Sequence, residues 1–234
     1  MRQGTDTKRP RVMLIHAVAE AVAPIRAAFA AGWPAAQTYD LMDTSLSADL
    51  AADDGVLGEV MIARFRTLGR YAAEAGPGGR VADAVLFTCS AFGPAIDAVR
   101  RDLAIPVLKP NEAAFERALA SGAAKAPRIG VLVTFAPSLP ALTAELEAMA
   151  RAAGQTPTIA GAIAAGGMEA LRAGRADEHD ALLAKAAQGL PPVDAIVIGQ
   201  FSAARAAAAV AAVRSEPVLT TPESAVAKLR GVFA

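Results

Sequence analysis

Cys89 is the one cysteine of the 234-residue chain, and it lies in Phe87-Thr-Cys-Ser-Ala-Phe-Gly93, directly after an apolar run. A thiol can act as a base toward a carbon-bound proton or as a nucleophile. At a strand-to-helix turn it would meet the free N–H groups of the next helix, which lower a thiol pKa from its ordinary value of about 8.5. Thr88 and Ser90 flank it with hydroxyl donors. The plainer reading is a small buried residue, which a free cysteine usually is. Beyond Cys89 the inventory for chemistry is thin. One cysteine excludes an internal disulfide and a thiolate metal cluster, and two histidines, His16 and His179, are too few for a histidine-rich metal site. No GxGxxG or P-loop pattern occurs. Gly199-Gln-Phe-Ser202 does not resemble a nucleophile elbow, and no serine–histidine–acid set stands out.

An internal repeat gives Cys89 a counterpart. With Asp83 set against Asp194, 111 residues later, ADAVLFTCSAFGPAIDAVRRDLAIPVLKPNEAA lies over VDAIVIGQFSAARAAAAVAAVRSEPVLTTPESA without a gap. Sixty residues are Ala, so Ala/Ala matches weigh little; the recurring triplet Pro106-Val-Leu108 and Pro217-Val-Leu219 weighs more. This register places Gln200 opposite Cys89, and Lys109, which reads as a surface residue, opposite Thr220. Arg11-Val-Met-Leu-Ile15 and Arg128-Ile-Gly-Val-Leu132 take equivalent earlier positions. Two facing turns of this kind would cradle a carboxylate on helix N-termini without any Arg or Lys.

Such turns need strands and helices to hold them. Short apolar runs at 12–15, 37–42, 84–87, 106–108, 128–133, 156–160, 195–198 and 218–219 read as strands. Helical stretches cover 20–31, 55–75, 93–103, 111–120, 138–153, 168–173 and 176–188, with two more from about 203 and 222. Residues 1–10 read as a flexible tail and Gly76-Pro-Gly-Gly79 as a loop. Asp43, Thr44 and Ser45 sit in a polar loop, as cleft residues or as helix caps. Ala165-Gly-Gly-Met168 reads as a turn, and His179, in a charged run, as solvent-facing. Short strands alternating with longer helices indicate α/β architecture with parallel sheets. The repeat divides it into a first lobe at 11–108 and a second at 109–215, with a strand and helix at 216–234 expected to pack back on the first lobe. A ligand cleft belongs between the lobes, at the carboxyl ends of the strands.

Composition narrows the function. Lys+Arg and Asp+Glu balance at 23 each and aromatic residues make up 5%, which argues against a nucleic-acid binder. The first ten residues hold no apolar core of a signal peptide, and no apolar run reaches the ~18 residues of a membrane helix, so a soluble cytoplasmic protein is expected.

The paired turns, LFTCSAFGPAID, IPVLKPNEA and PVLTTPESAVAKLR together resemble the aspartate/glutamate/hydantoin racemase superfamily, from about Arg11 to Arg230. That superfamily also contains maleate isomerases and arylmalonate decarboxylases. The resemblance implies two pseudo-symmetric Rossmann-like or flavodoxin-like lobes and cofactor-independent chemistry at the carbon next to a carboxylate. In the racemases, one cysteine from each lobe works on opposite faces of that carbon. Cys89 matches the first-lobe thiol, but Gln200, which does not ionise, stands at the second catalytic position. Arylmalonate decarboxylases keep a single thiol in the second lobe, and their dioxyanion pocket lies where this chain has Ser90 and the N–H of Ala91. Phe135, beside Thr134, replaces a pocket tyrosine. His16 falls where the superfamily places substrate contacts, and there it could orient a carboxylate or exchange a proton near pH 7. The resemblance thus implies substrate contacts from His16, Thr88, Ser90, Ala91, Thr134, Phe135, Phe201 and Ser202, with no metal or cofactor. The implied partner is a small carboxylic acid, not nucleic acid or a membrane, and homo-oligomerisation is left open. A one-thiol racemase or isomerase leads; a one-thiol decarboxylase and a catalytically silent carboxylate-binding protein are the alternatives.

Overall fold

The computed structural model describes residues 9–76, 81–122 and 125–234. The first eight residues of the expected tail, and positions 77–79 of the glycine-rich loop, lie outside them. Two four-stranded, all-parallel sheets form the two lobes. In the first, β1 (Arg11–His16) is flanked by β2 (Gln37–Met42) and β3 (Ala84–Phe87), with β4 (Val107–Leu108) beyond β3. The second repeats the order with β5 (Arg128–Val133), β6 (Thr158–Ile163), β7 (Ala195–Ile198) and β8 (Val218–Thr220). The architecture is the two-lobed α/β fold expected from the alternation of runs.

Alternation along each strand divides its side chains between two helical layers. Met13, Ile15, Val85 and Phe87 pack under α3 (Glu59–Glu74) and α4 (Gly93–Asp102). Val12, Leu14, Ala84 and Leu86 pack on the other face, against α1 (Val22–Gly32) and the C-terminal helix α10 (Thr221–Val232). In the second lobe, Ile129, Val131 and Val133 meet α5 (Glu112–Leu119) and α6 (Ser138–Ala152). Leu132, Ile196 and Ile198 meet α8 (Ala176–Gln188) and α9 (Ala207–Ala211). The last strand therefore stays in the second sheet, while the helix after it covers the first.

One device recurs in both lobes and accounts for the aspartates that open the repeat. Asp83 accepts a hydrogen bond from the N–H of Arg11 at 2.7 Å, and Asp194 one from the N–H of Arg128 at 2.8 Å. Each carboxylate thereby satisfies the first N–H of the neighbouring central strand. Two elements depart from expectation. The polar loop after β2 contains a helix, α2 (Ser45–Ala52), and the final helix of the second lobe starts as a 3-10 segment, Phe201–Ala206, before α9. The short α7 (Gly167–Arg172) completes the set.

Candidate active site

Cys89 follows β3 in extended conformation and precedes a 3-10 turn, Ser90–Phe92, which leads into α4. The N–H of Thr88 donates to the carbonyl of Ile15 at 3.0 Å, so the turn hangs on the end of β1. Cys89 and Ala91 pack against the phenylalanine-rich core of Phe65, Phe87 and Phe92. That burial pushes the Cys89 thiol up; the N–H of Ala91 and the nearby hydroxyl of Ser47, whose proton is shared with the Ala17 carbonyl at 3.1 Å, pull it back only in part. The expected lowering of this pKa is thus overturned. Desolvation outweighs the donors, and α4 itself begins only at Gly93, beyond the 3-10 turn. At neutral pH Cys89 is a protonated thiol.

His16 is completely buried, with both ring nitrogens bonded within the protein. Its Nε2 lies 2.9 Å from Asp40 Oδ1 and its Nδ1 2.8 Å from Thr88 Oγ1. A carboxylate only accepts, so the proton sits on Nε2, and the neutral ring accepts from the Thr88 hydroxyl at Nδ1. Burial holds the His16 pKa below its ordinary value despite Asp40. Burial alone would raise Asp40, but hydrogen bonds from Arg26 and His16 hold it below the usual carboxylate range. Thr88 is likewise buried behind the turn.

In the second lobe Gln200 Oε1 accepts from the N–H of Thr134 at 2.7 Å and from its hydroxyl at 2.8 Å. A backbone N–H can only donate, which fixes the amide with its oxygen inward and its NH2 as the remaining donor. Gly199, before it, has no room for a side chain: a Cβ would stand 2.8 Å from Leu142 of α6. Phe135 is half exposed next to this pair. Phe201 and Ser202 follow Gln200 in the 3-10 segment. Both are buried, and the Phe201 ring belongs to the first lobe's core with Val12, Leu14 and Ile25, so its work is to join the lobes.

The two half-sites interlock. The Ser90–Phe92 turn packs on α6, while the Phe201–Ala206 segment packs on α1 and on the 3-10 turn Ala19–Ala21. These are the same contact repeated by the pseudo-symmetry, since α1 follows β1 as α6 follows β5. Charges bridge the lobes as well. Glu20 pairs with Arg172 at 2.8 Å, and Lys109 lies between Asp97 at 3.2 Å and Glu145 at 3.4 Å. Lys109 is therefore mostly buried rather than a surface residue.

Several other expectations resolve as structure. His179 is buried, not solvent-facing, with Nδ1 2.9 Å from Asp180. Asp43 caps α2 by accepting from the N–H of Ser45 at 3.1 Å, and Gly166, at φ +80°, turns the chain into α7. Ser47 lies in a stretch that the sequence presents as polar loop and the structure as the first turn of α2. Its polar surroundings gave no helical signal, so nothing aimed its hydroxyl at Cys89.

A family model for Asp/Glu/hydantoin racemases matches residues 66–191, just over half of the chain. The chain belongs to the Asp/Glu/hydantoin racemase family. Among solved structures, a glutamate racemase from Bacillus anthracis is similar with a TM-score of 0.70 and 11% identity, over 97% of this chain and 82% of that one. An allantoin racemase from Pseudomonas fluorescens gives 0.65 and 16% identity, over 95% and 90%. A Gly74Cys mutant of arylmalonate decarboxylase gives 0.63 and 16% identity, over 96% and 95%. At these identities the likeness is one of fold. No curated protein matches the sequence significantly. Within the described residues, no helix of this family member is long and apolar enough to cross a membrane.

Proposed function

We propose that this protein is a cofactor-independent enzyme of the racemase and isomerase type, moving a proton at the carbon next to a carboxylate of a small acid, with Cys89 as its one thiol. The observation that supports this most is the asymmetry of the paired turns. The first offers a thiol with donors from Ala91 and Ser47, and the second offers at the equivalent place the fixed amide of Gln200. An N–H or NH2 group hydrogen-bonds a carboxylate or enolate oxygen, but an amide neither takes nor gives a proton near neutral pH. Proton transfer therefore runs through Cys89, on one face of the carbon. Ser90 and the N–H of Ala91 hold one carboxylate, and the Gln200 NH2 with Thr134 and Phe135 orients the other side of the substrate. The small thiolate fraction of Cys89, a stronger base for its raised pKa, takes the α-proton and leaves an enolate whose oxygens accept from the Ala91 N–H and the Gln200 NH2; the thiol so formed exchanges its proton with solvent and returns one to the same face. The test is incorporation of solvent deuterium at the α-carbon, followed by NMR, across a panel of small mono- and dicarboxylic acids. Exchange present in the wild type and lost in a folded Cys89→Ser variant supports the reading; exchange undiminished in Cys89→Ser removes Cys89 from it.

A further inference from the structure

Both turns are tied by a side chain to the end of their lobe's central strand, but not by the same residue. In the second lobe the tie is Gln200 itself, bonded to Thr134 after β5. In the first lobe it is moved one residue back: Thr88 bonds His16 at the end of β1, and Cys89 takes no part in it. We propose that His16 is a positioning residue which, through Thr88, fixes the turn that carries Cys89 and so leaves the thiol free for chemistry. This rests on the reading of Cys89 as the reacting group.

The geometry supports more than a filled core position. A histidine with no solvent exposure, among Met13, Leu14 and Ile15 on a fully buried strand, is an expensive choice unless both ring nitrogens are satisfied. They are, and in a directed order. Arg26 donates to Asp40, Asp40 accepts from Nε2 of His16, and Nδ1 accepts from the Thr88 hydroxyl. Asp40 and Arg26 are the charged groups that face the imidazole. The carboxylate fixes the tautomer, the tautomer makes Nδ1 an acceptor, and the acceptor sets the Thr88 rotamer. Without that acceptor the hydroxyl is left with the Ile15 carbonyl at 3.3 Å, a poorer bond. The turn then loosens and the sulfur, already partly exposed, gains solvent.

The single cysteine allows a test that needs no substrate. The pH dependence of Cys89 alkylation by iodoacetamide is measured by mass spectrometry for the wild type, Thr88→Val, His16→Gln and Asp40→Asn, each with its thermal melt. Thr88→Val and His16→Gln are expected to move the alkylation midpoint down by about one pH unit, raising the rate at pH 7 about tenfold. Asp40→Asn leaves its one oxygen to Arg26 and turns its NH2 toward Nε2, so it takes away the fixed tautomer and is expected to shift the profile in the same direction. Superimposable profiles for all four proteins overturn the proposal, whatever the melts show. A second measurement covers variants that fail to fold: imidazole ¹⁵N shifts of the wild type at pH 7. A neutral Nε2–H ring at His16 agrees with the assignment, and an Nδ1–H or doubly protonated ring overturns it. Neither outcome depends on turnover, so the exchange experiment on Cys89→Ser stands or falls separately.

Discussion

At Cys89 two opposing effects act on one sulfur. Helix-end N–H groups favour the thiolate, and the phenylalanines beneath the turn disfavour it. Only the first was legible, because Thr88, Ser90 and the following helix are local in sequence, whereas Phe65 comes from α3. Desolvation wins, and with a raised pKa the thiolate forms only above the ordinary thiol range. Alkylation of the wild type by iodoacetamide should accordingly be slow at pH 7 and rise with pH to a midpoint above about 8.5. A midpoint below 7.5 would mean that the donors prevail. His179 shows a signal that was present but outweighed. Its charged neighbours suggested a surface, yet His179, Leu183 and Ala187 follow at intervals of four and share the buried face of α8.

Elements were more legible than sites, for a physical reason. Strands buried on both faces must be apolar throughout, and β3, β5 and β7 end where their apolar runs end. The helix α2 was not legible, since Ser, Asp and Ala give an eight-residue segment no apolar stripe beyond Leu46 and Leu50. Close packing of α3 on α4 is likewise invisible in the sequence, although it explains a glycine in mid-helix. A Cβ at Gly69 would overlap the Val99 side chain. Gly69→Ala should therefore destabilise by about 1–2 kcal/mol, as overpacking exceeds the gain in helix propensity. Val99→Ala in the same chain should recover part of that loss. Denaturant unfolding of the two single variants and the double variant decides it, and strict additivity would place the strain elsewhere.

Across the whole molecule, the repeat predicted two facing lobes, but it did not reveal that each lobe's turn packs on the other's helix. Phe201 carries one of these contacts, and Phe201→Ala should cost about 3–5 kcal/mol in denaturant unfolding. An effect below about 1 kcal/mol would show that the ring does not join the lobes. The half-buried Glu145, which meets Lys109 where the lobes join, contributes in the opposite sense as pH rises. Burial raises its folded-state pKa above the unfolded value, so its contribution to stability is present at low pH and lost as pH climbs through the folded pKa. Glu145→Gln should remove that loss and melt higher than wild type at pH 8 but not at pH 4; a lower melt at pH 8 would mean that the Lys109 pair prevails. The central claim, that proton transfer uses one thiol on one face, is tested most directly by chirality. A chiral acid that the protein accepts is followed in D₂O by NMR and by its optical activity together. The account predicts deuterium entering the α-position with retention of configuration. Inversion keeping pace with exchange in the wild type would contradict it, because a second acid or base would then have to act opposite Cys89, where Gln200 stands.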